Sequence, residues 1–150
     1  MRTNSWSDDV CPIARAMSVL GQRWAILIIR EAMLGRSRFS EFREQLGIAP
    51  EVLSSRLSEL MTAGIMESVD YREPGDRTRS QYQLTHSGRD LISVLAAVGQ
   101  WGHRHIAREN SSAYRFIEAD TGDMVGLSFR RRDGRKVSSV DVALVNLTPA

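Results

Sequence analysis

The sequence is poor in residues that would staple, anchor or metallate a chain. It has one cysteine among 150 residues, Cys11, so no disulfide can close within it, and a reducing, cytoplasmic setting is expected. No apolar run approaches the roughly 20 residues that cross a bilayer as a helix, so no membrane partner is expected. Residues 1–9 are polar and acidic, not a basic segment leading into an apolar one, which reads against a secretory signal. Lys136 is the only lysine, so nearly all of the 20 basic side chains are arginine. Arginine matches phosphate and guanine in two-pronged fashion, although genome composition alone also produces such a bias. The net charge of +2 does not by itself call for a nucleic acid. A nucleophile elbow, a phosphate-cradling glycine loop and a paired histidine–carboxylate motif are all missing, so an enzyme and a cofactor are not expected. His103 and His105 stand two apart on a helix and point to different sides, and the C-terminal segment has no cysteine pair, so no metal site is expected either.

What the chain does contain is a succession of short periodic segments separated by glycines. Pro12 suits a first helical position, and Ile13, Ala16, Met17 and Leu20 recur at helical spacing before Gly21. Residues 24–34 form a nearly continuous apolar run, expected as a buried helix stopped by Gly35. Ser40 is expected to cap a short helix carrying Phe39, Phe42 and Leu46, ended by Gly47. Pro50 opens the next helix, in which Leu53, Leu57 and Leu60 fall at i, i+4 and i+7 and Gly64 closes the pattern. Two short helices joined by a glycine-containing turn make a helix-turn-helix. The period then shortens. Residues 65–71 and 79–84 are expected as strands around the turn Glu73-Pro74-Gly75-Asp76, giving a hairpin with Arg72, Arg77 and Arg79 at its tip. A long amphipathic helix is expected over residues 85–106, capped by Thr85, then a polar linker over 107–112. Residues 113–150 look β-rich, with turns at 120–123 and 133–134 and a last strand signalled by Val140, Val142 and Leu144. The fold class is therefore α+β, mainly α: a winged helix-turn-helix over 8–108 with a β-rich extension over 113–150.

A helix that reads the major groove keeps an apolar stripe inside and offers short polar side chains outside. With the leucines inward, Glu51, Ser54, Ser55, Ser58 and Thr62 face outward, and Arg56 lies at the flank, in reach of a phosphate or a guanine. Arg36, Arg38 and Ser40 precede the helix that crosses the backbone, and the arginines of the hairpin reach the adjacent backbone or minor groove. Any surface helix also has serines outside and leucines inside. Residues 36–89 hold eight arginines and eight acids, so a basic face requires Glu41, Glu44, Glu59 and Glu67 to point elsewhere.

The chain resembles the HxlR-type regulators, a bacterial family of dimeric winged helix-turn-helix repressors and activators related in fold to the MarR group. The resemblance is carried by Cys11-Pro12-Ile13, by Leu20-Gly21-Gln22-Arg23-Trp24 with residues 26–30, and by Arg38-Phe39-Ser40-Glu41-Phe42. It continues through Ile48, Val52-Leu53-Ser54-Ser55-Arg56-Leu57, Glu59-Leu60, Ala63-Gly64-Ile65, Arg79, Tyr82, Leu84-Thr85 and Gly88-Arg89, and covers about residues 10–105. It implies a homodimer on double-stranded DNA, with a pseudo-palindromic operator, and a small-molecule or redox signal that modulates binding. The long helix would pair with a partner's N-terminal helices, so Ile13, Leu95, Val98 and Trp101 are candidate interface residues; Trp101 reads equally well as an ordinary core residue. The family often has lysine where this chain has Glu51 and Arg23. An acid at 51 repels phosphate but accepts from cytosine N4.

Cys11 is a candidate redox sensor. It sits at a helix N-terminus, where the macrodipole favours a thiolate; Arg15 assists and Asp8 and Asp9 oppose. Some members of the family use a cysteine at this position to sense oxidants or electrophiles; a small buried residue near a dimer interface is the other reading. A winged helix used only for protein contact, or an enzyme with dispersed catalytic residues, are the alternatives to a DNA-binding regulator.

Overall fold

In the computed structural model the described residues are 10–106, 108–109 and 114–145. The readings of residues 1–9, of Asp8 and Asp9, and of most of the expected linker lie outside them. The chain divides into two compact units that part within one helix, between Leu95 and Ala96.

The first unit begins with α1 (Pro12–Leu20) and α2 (Arg23–Met33). Pro12 occupies the opening turn of α1, where a missing N–H costs nothing. Helix α1 buries only Ala14 and Leu20, whereas α2 buries Ala25, Ile28, Ile29 and Glu31. Gly35, at a φ of 93°, turns the chain out of α2. Then follow α3 (Phe39–Leu46) and α4 (Pro50–Thr62), joined through Gly47 in the left-handed conformation. Phe42, Ile28, Ile29, Leu53, Leu57, Leu60 and Met66 are fully buried and form the centre of this unit.

The wing is β1 (Met66–Tyr71) paired antiparallel with β2 (Arg79–Leu84), in a register running from Met66 opposite Leu84 to Tyr71 opposite Arg79. The segment before α3 joins its edge: Arg38 bridges to Gln81, and the Tyr82 N–H donates to the Ser37 carbonyl at 2.7 Å. The wing is tied to α4 at one junction. The Thr85 hydroxyl donates to the Gly64 carbonyl at 2.6 Å and accepts from the Gly88 N–H at 3.1 Å. Gly88 packs so closely there that a Cβ on it would stand 2.1 Å from the Ile65 carbonyl oxygen.

Several expectations are corrected. Ser40 does not cap α3. The helix begins two residues earlier than a Ser40 cap would start it, at Phe39, with Arg38 at the cap position, because the Glu41 carboxylate already accepts from the Ser37 and Arg38 N–H groups, both at 2.9 Å. The helix expected over 85–106 is two helices, α5 (His86–Asp90) and α6 (Ile92–His105). They part at Leu91, whose N–H turns to the i−3 carbonyl of Gly88, a tighter turn than the α-helix makes.

In the second unit the turns at Gly122 and Gly134 form, with φ of 76° and 85°. They close a bridge between Ile117 and Met124 and the short pair β3 (Phe129–Arg130) with β4 (Lys136–Val137). The last expected strand does not form. Val140 lies in a 3-10 turn (Ser139–Asp141), and Val140, Val142 and Leu144 are exposed: alternation makes a strand only where a neighbouring strand accepts its hydrogen bonds.

Gly88→Ala should destabilise the fold by about 1–3 kcal/mol, because the methyl meets backbone that cannot rotate away. Urea denaturation followed by circular dichroism measures it, and an unchanged midpoint would refute the close packing.

Candidate nucleic-acid interface

Burial of Leu53, Leu57 and Leu60 sets the rotation of α4. Glu51, Ser54, Ser55 and Ser58 consequently lie exposed along its outer side, as expected. Short side chains there let a duplex approach the helix closely. Arg56 differs from expectation. Its side chain is only 19% exposed and is ion-paired with Glu59, while its Nε is buried without an acceptor among the described residues. Glu59 therefore does not point away from this face: it takes Arg56 on one oxygen and the Ser55 hydroxyl, at 3.5 Å, on the other.

Arg38 reaches across to the wing. Its guanidinium pairs with Glu73 and lies 4.9 Å from the centre of the Tyr71 ring, a cation–π contact. The hydrogen bond to Glu73, followed by the charges of Tyr71 and Glu73, holds the Arg38 guanidinium more firmly protonated than usual. Ser40 is exposed one residue into α3. At the wing tip, Arg79 pairs with Asp76 at 2.9 Å, and the Arg72 Nε donates to the Asp76 carbonyl at 2.8 Å. Arg77 is exposed and forms no ion pair among the described residues.

Arg36 is turned partly inward. With Arg30 it flanks Glu31, whose carboxylate is 3% exposed; Arg30 Nη2 stands 2.7 Å from one oxygen and Arg36 Nε 3.7 Å from the other. A buried carboxylate is tolerated only when paired, so part of the charge of Arg36 is committed to the interior. An open groove of about 530 Å³ lies alongside, bordered by Met33, Arg36, Tyr82, Leu84, Arg89 and Ile92.

Sequence reading missed Glu31, Glu73 and Asp76 as partners of these arginines, and Tyr71 as a platform for one. Asp76 and Arg79 stand three apart across a turn, and Glu59 and Arg56 three apart on a helix, spacings that carry a pairing signal. Arg38 and Glu73 are 35 residues apart, and no local pattern links them.

Among the other expected site residues, Cys11 is exposed at the N-cap of α1. Ile13, Val98 and Trp101 are 56%, 55% and 59% exposed, whereas Leu95 is buried. No group of three or more metal-ligating side chains occurs among the described residues, and no helix there is long and apolar enough to cross a membrane.

The model of a family described as HxlR-like helix-turn-helix matches residues 19–110. A curated relative from Mycobacterium tuberculosis, the uncharacterised HTH-type transcriptional regulator Rv3095, is 40% identical over 96 residues, which is 64% of this chain and 60% of that protein. The match thus spans less than two thirds of that relative's length. Among solved structures, PA1607, described as a candidate transcription factor, superposes with a TM-score of 0.81 at 34% identity, covering 94% of this chain and 98% of that one. The oxidised form of the redox regulator HypR superposes with a TM-score of 0.57 at 28% identity, covering 66% and 99%.

The Glu41 carboxyl titrates below the ordinary carboxylate value of 4.5, chiefly because the Arg38 and then the Ser37 N–H groups donate to it. A lowered folded-state pKa adds stability above 4.5 that is lost as pH falls through the lowered value. Glu41→Gln should therefore melt below the parent at pH 7, and the gap should close between pH 4.5 and the lowered value. Thermal melts across that range measure it; a gap that persists in acid would refute the ionic cap.

Proposed function

Because this chain belongs to the HxlR-like helix-turn-helix family, we propose that it is a transcriptional regulator that binds duplex DNA as a homodimer and represses by occupying its operator. The observation that carries this reading is the outer side of α4: Glu51, Ser54, Ser55 and Ser58 exposed in one row, backed by a fully buried leucine stripe. In the bound state α4 lies in the major groove, Arg36, Arg38 and Ser40 meet the backbone, and Arg72, Arg77 and Arg79 of the wing meet the neighbouring groove. The exposed apolar residues of α1 and α6, Ile13, Val98 and Trp101, support a dimer, since they are large side chains that a second copy would cover. Two copies of α4 would then read half-sites about 34 Å apart. Leu95, expected at the interface, is buried within its own chain.

The test is titration of the protein against the duplex recovered from genomic fragments by selection, read by fluorescence anisotropy at several salt concentrations. The log of affinity should fall linearly with the log of salt. Arg56→Ala should weaken binding by about 1–3 kcal/mol and relax base preference. Val98→Glu should sediment as a monomer and lose the operator. Salt-independent binding, or an Arg56→Ala protein that binds as the parent does, would sink this reading.

A redox input through Cys11 is a second reading. It rests on the exposure of that residue at a helix start and on the likeness to a redox regulator. Treatment with hydrogen peroxide should reduce operator binding by the parent protein and spare Cys11→Ser; equal loss in both would eliminate Cys11 as the sensor.

A further inference from the structure

We propose that Glu59, Glu73 and Asp76 are specificity-determining residues that compete with DNA phosphate for the arginines of this interface. The inference rests on the DNA-binding reading above and adds to it. Three arginines placed to meet a duplex stand in carboxylate pairs in the free protein: Arg56 with Glu59, Arg38 with Glu73 and Arg79 with Asp76. The pairs come from three separate places: the middle of α4, the contact between the start of α3 and the wing, and the wing tip. Carboxylate and phosphate are alternative partners of the same kind for a guanidinium, each offering two oxygens to its fork. A phosphate contact at any of these arginines therefore displaces a carboxylate and leaves that anion beside the DNA.

The pairs are built to exchange. Glu59 and Glu73 are exposed and Asp76 is partly so, their side chains retaining 54%, 54% and 40% of their accessibility, so water solvates them once released. Exposed pairs are weak, and phosphate outcompetes them where the duplex fits. Arg56 carries the largest rearrangement. It is mostly covered, its Nε lacks an acceptor among the described residues, and Glu59 also takes Ser55, so binding frees two groups of the outer side of α4 together. The consequence is a face with many arginines and little free positive charge. It binds generic duplex weakly and depends on a fitting sequence for the remainder of its affinity.

The experiment uses the full chain with a 30-base-pair mixed-sequence duplex, titrated by anisotropy from about 50 to 300 mM salt. Glu59→Gln, Glu73→Gln and Asp76→Asn each keep shape and remove one charge. Asp141→Asn, an exposed acid of the second unit that pairs with no arginine among the described residues, controls for net charge alone. Each of the three should tighten mixed-sequence binding roughly threefold to fivefold beyond the control. The triple variant should also steepen the salt slope, by up to about 0.9 for each arginine released. If the parent binds in a salt-dependent way and the three variants match Asp141→Asn, the competition is refuted while the DNA reading stands. If neither parent nor variants bind any duplex with a salt dependence, both are refuted together.

Discussion

Burial of one leucine stripe governs what this protein offers to a partner. An α-helix advances about 100° per residue, so a helix that sinks Leu53, Leu57 and Leu60 has no choice about where Glu51, Ser54 and Ser58 go. Each buried leucine contributes about 1.5–3 kcal/mol, and slipping α4 by one residue would exchange Leu57 for Arg56 or Ser58 in the interior. The cost of putting a charge or an unpartnered hydroxyl among Ile28, Ile29 and Phe42 far exceeds any gain outside. The orientation of the outer face is thus a by-product of the core, and that is why it is reproducible enough to serve recognition.

The wing is aimed by different means. Few large apolar residues of the hairpin are buried, so packing alone would leave its angle loose. Its position comes from hydrogen bonds at its base: Thr85 to Gly64 and Gly88, and Tyr82 to Ser37. The close approach at Gly88 makes this junction tight, and the Arg38–Glu73 pair adds a tie nearer the tip. Helix α4 and the wing are therefore held as one surface by directional bonds, over a core that seats the helix along its length and the wing only at its base, through Met66 and Leu84.

Charge on that surface is compensated locally. A segment with eight arginines and eight acids can separate the signs onto different sides or couple them in pairs. Part of the acidic charge is indeed directed away: Glu41 turns back onto the start of α3, and Glu67 accepts from Gln83 across the hairpin. Another part is coupled, with Glu59, Glu73 and Asp76 each on an arginine. The fold shared with PA1607 and the family match concern the scaffold; the pairing pattern is a property of this chain's own side chains.

The sequence by itself determined the succession of helices, the helix-turn-helix, the hairpin and the inward and outward sides of α4, because these follow from short-range periodicity and from glycines at the turns. It also carried enough ordered motifs to point to the family. The folded structure decided the start of α3 at Phe39, the break at Leu91 and the absence of a strand over 142–144. The first two turn on which of several nearby groups takes a hydrogen bond, as Glu41 does for Arg38 three residues away, and the third on a neighbouring strand that does not come; residue propensity ranks none of these. The same holds for the interface. That Arg56 and Arg38 lie near DNA-facing elements was legible from position, but that Glu59 and Glu73 hold them was not. An ion pair is chosen by distance in space, and Arg38 stands 35 positions along the chain from the acid that folding brings to it.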